Sequence, residues 1–426
     1  MKKLIALLLA LVMVFGLVAC GKESKGSVYW LNFKPESDEA LQTLAKMYTE
    51  ETGVPVKVVT AASGTYDTTL TAQMDKSDAP TMFVVGNAAA VKKWGSYCLD
   101  LTDTKVNGEM STDAYKLYDA DGKLCSIGYC YECYGIIVNL DLLAKAGYSK
   151  EDLANFDGLK KIAEDVHARS AELGFDAFTS AGMDGSSSWR YTGHLINAAY
   201  YWEYVDDPAA WETCPASIKG TYMDNFKQLY DLMVINSATD RAALANGGFD
   251  AGAEFANGEA LFYVNGNWEW SNLEGKGMKP EQVAMIPYYC GVEGEENVGL
   301  NAGTENYWAV NAKASEKDQQ ATLDFMYWLV TDPEASEIAV GTFGTMPYKQ
   351  AVASPNPFYG SANEYLAKGC NIMECVNGFQ PNVDAYRATA VSALNDYNAD
   401  PSDANWEKVV AAFVDGWATQ YAAANG

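Results

Sequence analysis

From residue 28 onward the chain alternates two hydrophobic periods, and that alternation restricts its fold more than any other feature. Residues 28–33 are a short apolar run of strand length; Ser37-Asp-Glu then opens a helix whose apolar positions Leu41, Leu44, Ala45 and Tyr48 lead to Gly53. An apolar run at 54–60, helical spacing over 66–75, another run at 81–85 and a helix over 88–94 repeat the order. Short apolar runs separated by amphipathic helices predict βαβ units, which build a parallel sheet covered by helices on both faces. Further along, Asp119-Ala-Asp121-Gly122 predicts a hairpin turn into 124–127, and 136–139 predicts a strand feeding a helix from Asp141. Helices are expected over 156–173 and 221–235 and strands at 260–264, 283–287 and 307–310, followed by a mostly helical last third (317–330, 333–340, 383–397, 405–423). The expected class is α/β. With 426 residues and 49% hydrophobic side chains, the chain has material for two lobes, each a mainly parallel sheet flanked by helices.

The first 27 residues follow a different logic. Lys2 and Lys3 precede an unbroken apolar run over 4–18, and Leu17-Val18-Ala19-Cys20-Gly21 follows. The run is shorter than the ~20 residues that span a bilayer, so it reads as an export signal over 1–19 and not as a membrane helix. A small residue before the cysteine and branched residues upstream resemble the bacterial lipobox, which implies that Cys20 is diacylated and becomes the new N-terminus. Residues 20–27 are then a polar tether, and two acyl chains suffice for a stable anchor. The expected location is the extracytoplasmic face of the cell membrane.

Charge and composition exclude several function classes. Fifty-six acidic against 30 basic residues give a net charge of −26, or −28 once Lys2 and Lys3 leave with the signal. A field of that sign disfavours nucleic acid, which needs clustered cations. Only His167 and His194 are present, too few for a His-rich metal site, and neither is assigned a chemical role. The sequence contains no G-x-S-x-G, P-loop, G-x-G-x-x-G or H-E-x-x-H motif, so no metal or cofactor and no common catalytic chemistry is expected. Beyond Cys20, eight cysteines remain; they are expected as small buried hydrophobes or one or two local bridges.

The most specific motif is Phe255-Ala-Asn-Gly-Glu-Ala-Leu-Phe-Tyr-Val-Asn-Gly-Asn-Trp268, a helix end F-x-x-G-x-A feeding a strand that stops at G-x-W. It resembles the extracellular solute-binding proteins of carbohydrate ABC importers, of the maltose-binding type. Supporting segments are Val28-Tyr-Trp-Leu-Asn32, Gly53-Val-Pro-Val-Lys-Val, Gln73-Met-x4-Ala79-Pro80, Glu132-x6-Asn139-x-Asp141 and Gly344-Thr-Met-Pro347. Thr81 replaces a usual Asp, and Val138-Asn139 a usual Tyr-Asn. The resemblance implies a two-lobed periplasmic-binding-protein fold of type II, with 28–131 plus 299–344 in one lobe and 132–298 plus 345–426 in the other. By the same resemblance a ligand cleft is expected at the hinge. It further implies a monomer that is no enzyme, captures a mono- or oligosaccharide and delivers it to ABC permease subunits.

Sugars offer apolar C–H faces ringed by hydroxyls, so their sites combine aromatic planes with short polar groups and carboxylates. By the resemblance, Trp268 falls on the cleft tryptophan, Trp189 in Ser186-Ser-Ser-Trp-Arg190 near a second stacking aromatic, Glu132 on a sugar-binding carboxylate and Asn87 on a first-lobe polar contact. Hinge salt bridge and helix N-cap are the competing roles of Glu132 and Asn87. Trp30, Asn32 and Lys34 follow the first strand and are expected to floor the cleft; Arg190, Glu269 and Asn382 complete the set, while Tyr307, Trp308 and Tyr386 are expected in the core or hinge. Two alternatives stay open. A polyamine receptor of the same fold would use the acidity and aromatic rings to cage an amine. An exported glycosidase would need two carboxylates at suitable spacing, with Glu132 and Glu269 or Asp184 as the pair.

Overall fold

The computed structural model describes residues 25–425 except 63, 181, 185, 186, 212 and 305. The expected signal over 1–19 and the lipidation site Cys20 lie outside the described residues. Five strands follow in the first lobe: β1 (Val28–Asn32), β2 (Val56–Thr60), β3 (Met82–Val84), β4 (Lys116–Tyr118) and β5 (Leu124–Gly128). The next five, β6 (Glu132–Asn139), β7 (Asp176–Phe178), β8 (Ala260–Gly266), β9 (Val283–Ile286) and β10 (Val298–Gly303), belong to the second. The chain then returns for β11 (Tyr307–Val310) and crosses again for β12 (Asn371–Glu374). The result is two six-stranded sheets, ordered β2-β1-β3-β11-β5-β4 and β12-β10-β6-β8-β7, with β9 sharing an edge of β6.

The local chemistry explains the elements. Helix Asp38–Thr52 buries Leu41, Leu44, Ala45 and Tyr48 on one stripe, carries Asp38 and Glu39 in its first turn and ends where Gly53 turns left-handed at φ 74°. In the strands, successive side chains enter different cores. Trp30, Met82, Val84, Trp308 and Val310 pack on one face of the first sheet and Leu31, Phe83 and Ala309 on the other. Ile136, Val138, Phe262 and Val264 likewise oppose Ile137, Tyr263 and Met285 in the second sheet. Both faces of both sheets are therefore covered, which is why these strands read as continuous apolar runs.

Strand direction differs from the expectation. β1 is parallel to β2 and β3, but β11 enters antiparallel between β3 and β5, and β6 is antiparallel to β8, β9 and β10. A parallel neighbour requires a helical crossover within the same sheet. Strands that arrive from the other lobe take their direction from the crossing instead, so both sheets are mixed. β10 also corrects one lobe boundary: it pairs with β6 and β12, so the return to the first lobe falls at 304–306, not before 299. The helix expected over 156–173 breaks at Arg169 into Phe156–Ala168 and Ser170–Leu173, and the last third includes β12 and the helix Pro357–Ala367, neither expected. The eight described cysteines are all free thiols, six of them buried.

Candidate functional site

Three segments join the lobes: 129–131, 304–306 and 344–356. They are stitched to one another. Tyr129 donates its N–H to the Asn306 carbonyl (2.9 Å) and its hydroxyl to Asn306 Oδ1 (3.0 Å); Tyr131 N–H donates to the Thr345 carbonyl (2.7 Å), and the Tyr359 hydroxyl donates to the Tyr131 carbonyl (2.6 Å). This seam forms the floor of a cleft between the sheets.

At the end of β1, buried Asn32 accepts the Lys34 N–H (3.0 Å) and donates to the Lys34 carbonyl (2.7 Å) and Thr60 Oγ1 (3.0 Å). That short-range turn aims the Lys34 ammonium across to Glu132, the first residue of β6, with Glu36 3.5 Å away. Asn306 Nδ2 donates to the other Glu132 oxygen (2.5 Å). Lys34 is only 4% exposed and Glu132 12%. Burial alone would lower the Lys34 pKa, but Glu132 and Glu36 outweigh it and hold the ammonium above its ordinary value, hence charged.

Above this pair stands an aromatic cluster. β8 ends at Gly266, and a 3-10 turn (Asn267–Glu269) folds Trp268 back over it. A Cβ at position 266 would sit 2.2 Å from the indole, so glycine is what lets the ring lie there. The Trp268 ring centroid is 5.9 Å from Trp189, 5.3 Å from His194 and 6.1 Å from Tyr134, and Lys34 Nζ lies 5.7 Å over it. His194 stacks on Tyr134 at 4.2 Å. Arg190 lies 4.6 Å over Trp189 and donates to the Tyr263 hydroxyl (3.1 Å). Glu269 accepts from Asn265 (3.1 Å) and Asn272 (2.6 Å); burial raises its pKa, opposed by Asn272 and Arg190. Substituting Gly266→Ala should therefore push Trp268 off its seat and weaken ligand binding although no ligand-facing group is removed; fluorescence of the indole together with a binding isotherm checks this.

Of the residues expected in the site, the fold brings together Trp268, Trp189, Glu132, Lys34, Arg190 and Glu269. Asn32 acts at one remove, by fixing the Lys34 turn. Trp30 is corrected: it is fully buried among Trp308 (5.8 Å), Phe325 (6.1 Å) and Phe343 (6.2 Å), because its alternate position on β1 points into the core. Asn87 takes the competing role, accepting the Ala90 N–H (2.7 Å) as a helix N-cap. Asn382, the one described non-glycine residue at positive φ (46°), is exposed and donates to Gln420 (2.6 Å), so it leaves the cluster. Asp184 accepts from the Gly248 N–H (3.2 Å).

Two residues in the cluster were not anticipated. Tyr134 follows Glu132 by two positions on a strand and so shares its face, a signal that alternation carries. His194 follows Trp189 by five, and only the π-helical turn Arg190–Leu195 brings the two rings to 5.0 Å; no 3.6-residue pattern predicts that. Burial, then Arg387, Arg190 and Lys34, hold the His194 pKa well below 6.5, and its Nδ1 has no partner among the described residues. The unfolded chain takes a proton below about pH 6.5 that the folded chain refuses, so stability falls as pH falls through that value. The expected slope from this group is ~1.4 kcal/mol per pH unit. His194→Phe should flatten it in urea melts between pH 6.5 and 5.

Comparison with known proteins agrees with the two-lobed fold. The model of a family described as bacterial extracellular solute-binding protein matches residues 43–365. The solute-binding protein RafE in complex with raffinose superposes with a TM-score of 0.72 at 17% identity, covering 91% of this chain and 98% of that one. RafE of Streptococcus pneumoniae without ligand gives 0.65 at 17%, covering 92% and 98%. A sugar transporter of Bacillus licheniformis in complex with stachyose gives 0.68 at 16%, covering 92% and 100%. None of the curated proteins matches the sequence.

Proposed function

The chain is a member of the bacterial extracellular solute-binding protein family, and from that premise we propose that it is the sugar receptor of an ABC importer. It captures an oligosaccharide between its lobes and presents it to the permease, tethered to the membrane through Cys20. The carrying observation is the pair of indole planes, Trp268 and Trp189, standing 5.9 Å apart over the charged floor of the cleft. Indole faces stack on sugar C–H faces, while Glu132, Lys34, Arg190 and Glu269 offer donors and acceptors to hydroxyls. Among the described residues no helix is long and apolar enough to cross a membrane.

The charge arrangement favours sugar over polyamine. Glu132 is matched by Lys34 and Glu269 faces Arg190, so the cleft carries cations of its own despite the net charge of −26. A polyammonium ligand would meet those cations. Glycosidase action fits poorly, because Glu132 is engaged by an ammonium and an amide instead of facing open space. Hinge closure over the ligand is the expected motion, and one cross-lobe bond is already present where Thr68 donates to Asp384 (3.0 Å). Isothermal titration of the purified chain against a glycan panel, with spermidine and putrescine alongside, tests the reading: micromolar or tighter binding of a saccharide is expected. Binding of an amine with silence from every saccharide, or turnover of any of them, would overturn it.

A further inference from the structure

Apart from the three crossing segments, the lobes also meet where two helices begin. The helix Tyr66–Met74 of the first lobe has Thr65 as its N-cap residue, and Thr65 supplies no side-chain cap. A carboxylate from the other lobe takes that place. Thr68, in the first turn, donates its hydroxyl to Asp384 Oδ2 (3.0 Å), and the Thr68 backbone amide bonds the same carboxylate. Asp384 is itself in the first turn of the helix Val383–Ala399 of the second lobe. The start of a helix favours a carboxylate, because its first amides have no partner within the helix and its dipole is positive there.

Both sides of this contact are fixed to their own lobes. Tyr66 pins the first helix to its sheet, donating its hydroxyl to the Leu31 carbonyl (3.3 Å) and accepting the Val84 N–H (2.7 Å). On the other side Asn382 turns left-handed (φ 46°) to start its helix and is tied to Gln420 (2.6 Å), while buried Tyr386 donates to the Phe413 carbonyl (2.8 Å). Left-handed backbone in a non-glycine residue is retained only where its surroundings hold it, and such positions collect at switches. The contact also meets a like charge. Asp67 adjoins Thr68, and Lys93 pairs with it at 2.8 Å. Burial raises the Asp384 pKa, and Asp67 adds to that, against the Thr68 hydroxyl, the Thr68 amide and Arg387. Arg387 links the contact to the aromatic cluster. Its Nε donates to Gln380 Oε1 (2.7 Å), Gln380 Nε2 donates to the Thr192 carbonyl (2.7 Å), and a Cβ at Gly193 would lie 2.8 Å from the guanidinium carbon. The first turn behind Asp384 is thereby packed on the π-helical turn that carries His194.

We propose that Asp384 is an interlobe latch: by capping the helix Tyr66–Met74 of the opposite lobe, it holds the two lobes together before any ligand arrives. Asp384 is a positioning residue, and it acts on the ligand cluster through Arg387 and the turn beneath it. The latch rests on the two-lobed cleft and not on the identity of the solute. Its energy is that of one exposed hydrogen bond to a carboxylate, enough to bias an open–closed equilibrium and too little to lock it.

Small-angle X-ray scattering of the purified, unliganded chain tests this. Asp384→Ala and Thr68→Val should each lower the closed-to-open ratio about three- to tenfold, read as a larger radius of gyration. The double variant should open no further than either single one, because both remove the same bond. Lys93→Met, which leaves Asp67 without its cation, should also open the lobes. Urea melts should stay close to wild type, since Thr68 is exposed and the bond lies outside both cores. A radius unchanged in both single variants overturns the latch, and so does additive opening in the double variant. Because no ligand is present, failure here leaves the sugar reading standing, and the two can fail separately.

Discussion

Trp268→Ala is expected to weaken saccharide binding by ~30- to 1000-fold, the 2 to 4 kcal/mol typical of removing a central aromatic anchor. The expectation follows from position. The ring is half-buried, seated on Gly266, backed by His194 and Tyr134, and flanked by Trp189 and Lys34, so it is held rigid before any ligand arrives. A rigid plane gives up little conformational entropy on binding, and for that reason its contact area converts efficiently into affinity. Trp30→Ala is the matched comparison. That ring is fully buried among Trp308, Phe325 and Phe343, so its loss should lower stability by ~3 to 5 kcal/mol while leaving the ligand contacts of the folded fraction intact. Calorimetry and urea unfolding of both variants separate the two effects. An unchanged Kd in Trp268→Ala would remove that residue from the site.

Glu132→Ala should destabilise the protein by ~3 to 5 kcal/mol, because it strands the largely buried Lys34 ammonium without its carboxylate partner. Glu36, 3.5 Å away and largely exposed, is a weak substitute. The double variant Lys34→Met with Glu132→Leu removes both charges together and should recover most of the loss, which distinguishes a stranded charge from a lost contact. The pH dependence has a definite sign. Since the folded Lys34 pKa is raised above 10.5, its stabilisation is complete below that value and is lost as pH rises beyond it. Glu132→Ala, lacking the pair, should show a flatter alkaline limb. Equal melts for wild type and Glu132→Ala would mean that the pair contributes nothing.

These two results would also fix the division of labour at the cleft. Glu132 resembles a sugar-binding carboxylate by sequence, yet its oxygens are engaged by Lys34 and Asn306. A hydroxyl reaching it would share or displace one of those partners. Asn32 illustrates the same point: its side chain serves the turn that places Lys34 and is spent there.

Much of the fold was legible because its causes are local. The helical stripe of Asp38–Thr52, the helix Ala88–Trp94, the hairpin joining β4 to β5 and the strand β11 follow from spacing and turn residues within a few positions. Trp268 was legible through the resemblance of its G-x-W strand end to the solute-binding family, while its seat on Gly266 emerged only in the structure. Trp30 was misplaced because a strand residue has two faces to choose from, and sequence alone does not say which faces the cleft when both are apolar. His194 escaped because its partner lies one π-helical turn back.

By itself, then, the sequence determined the α/β alternation, the expectation of an exported chain and the aromatic strand end, all encoded in contacts between near neighbours. Only the tertiary structure decided the strand directions, the return crossing after β10 and the Lys34–Glu132–Asn306 floor. The floor pairs residues 98 and 174 positions apart. Such contacts depend on how three crossings fold back on one another, and no periodicity within a single segment records that.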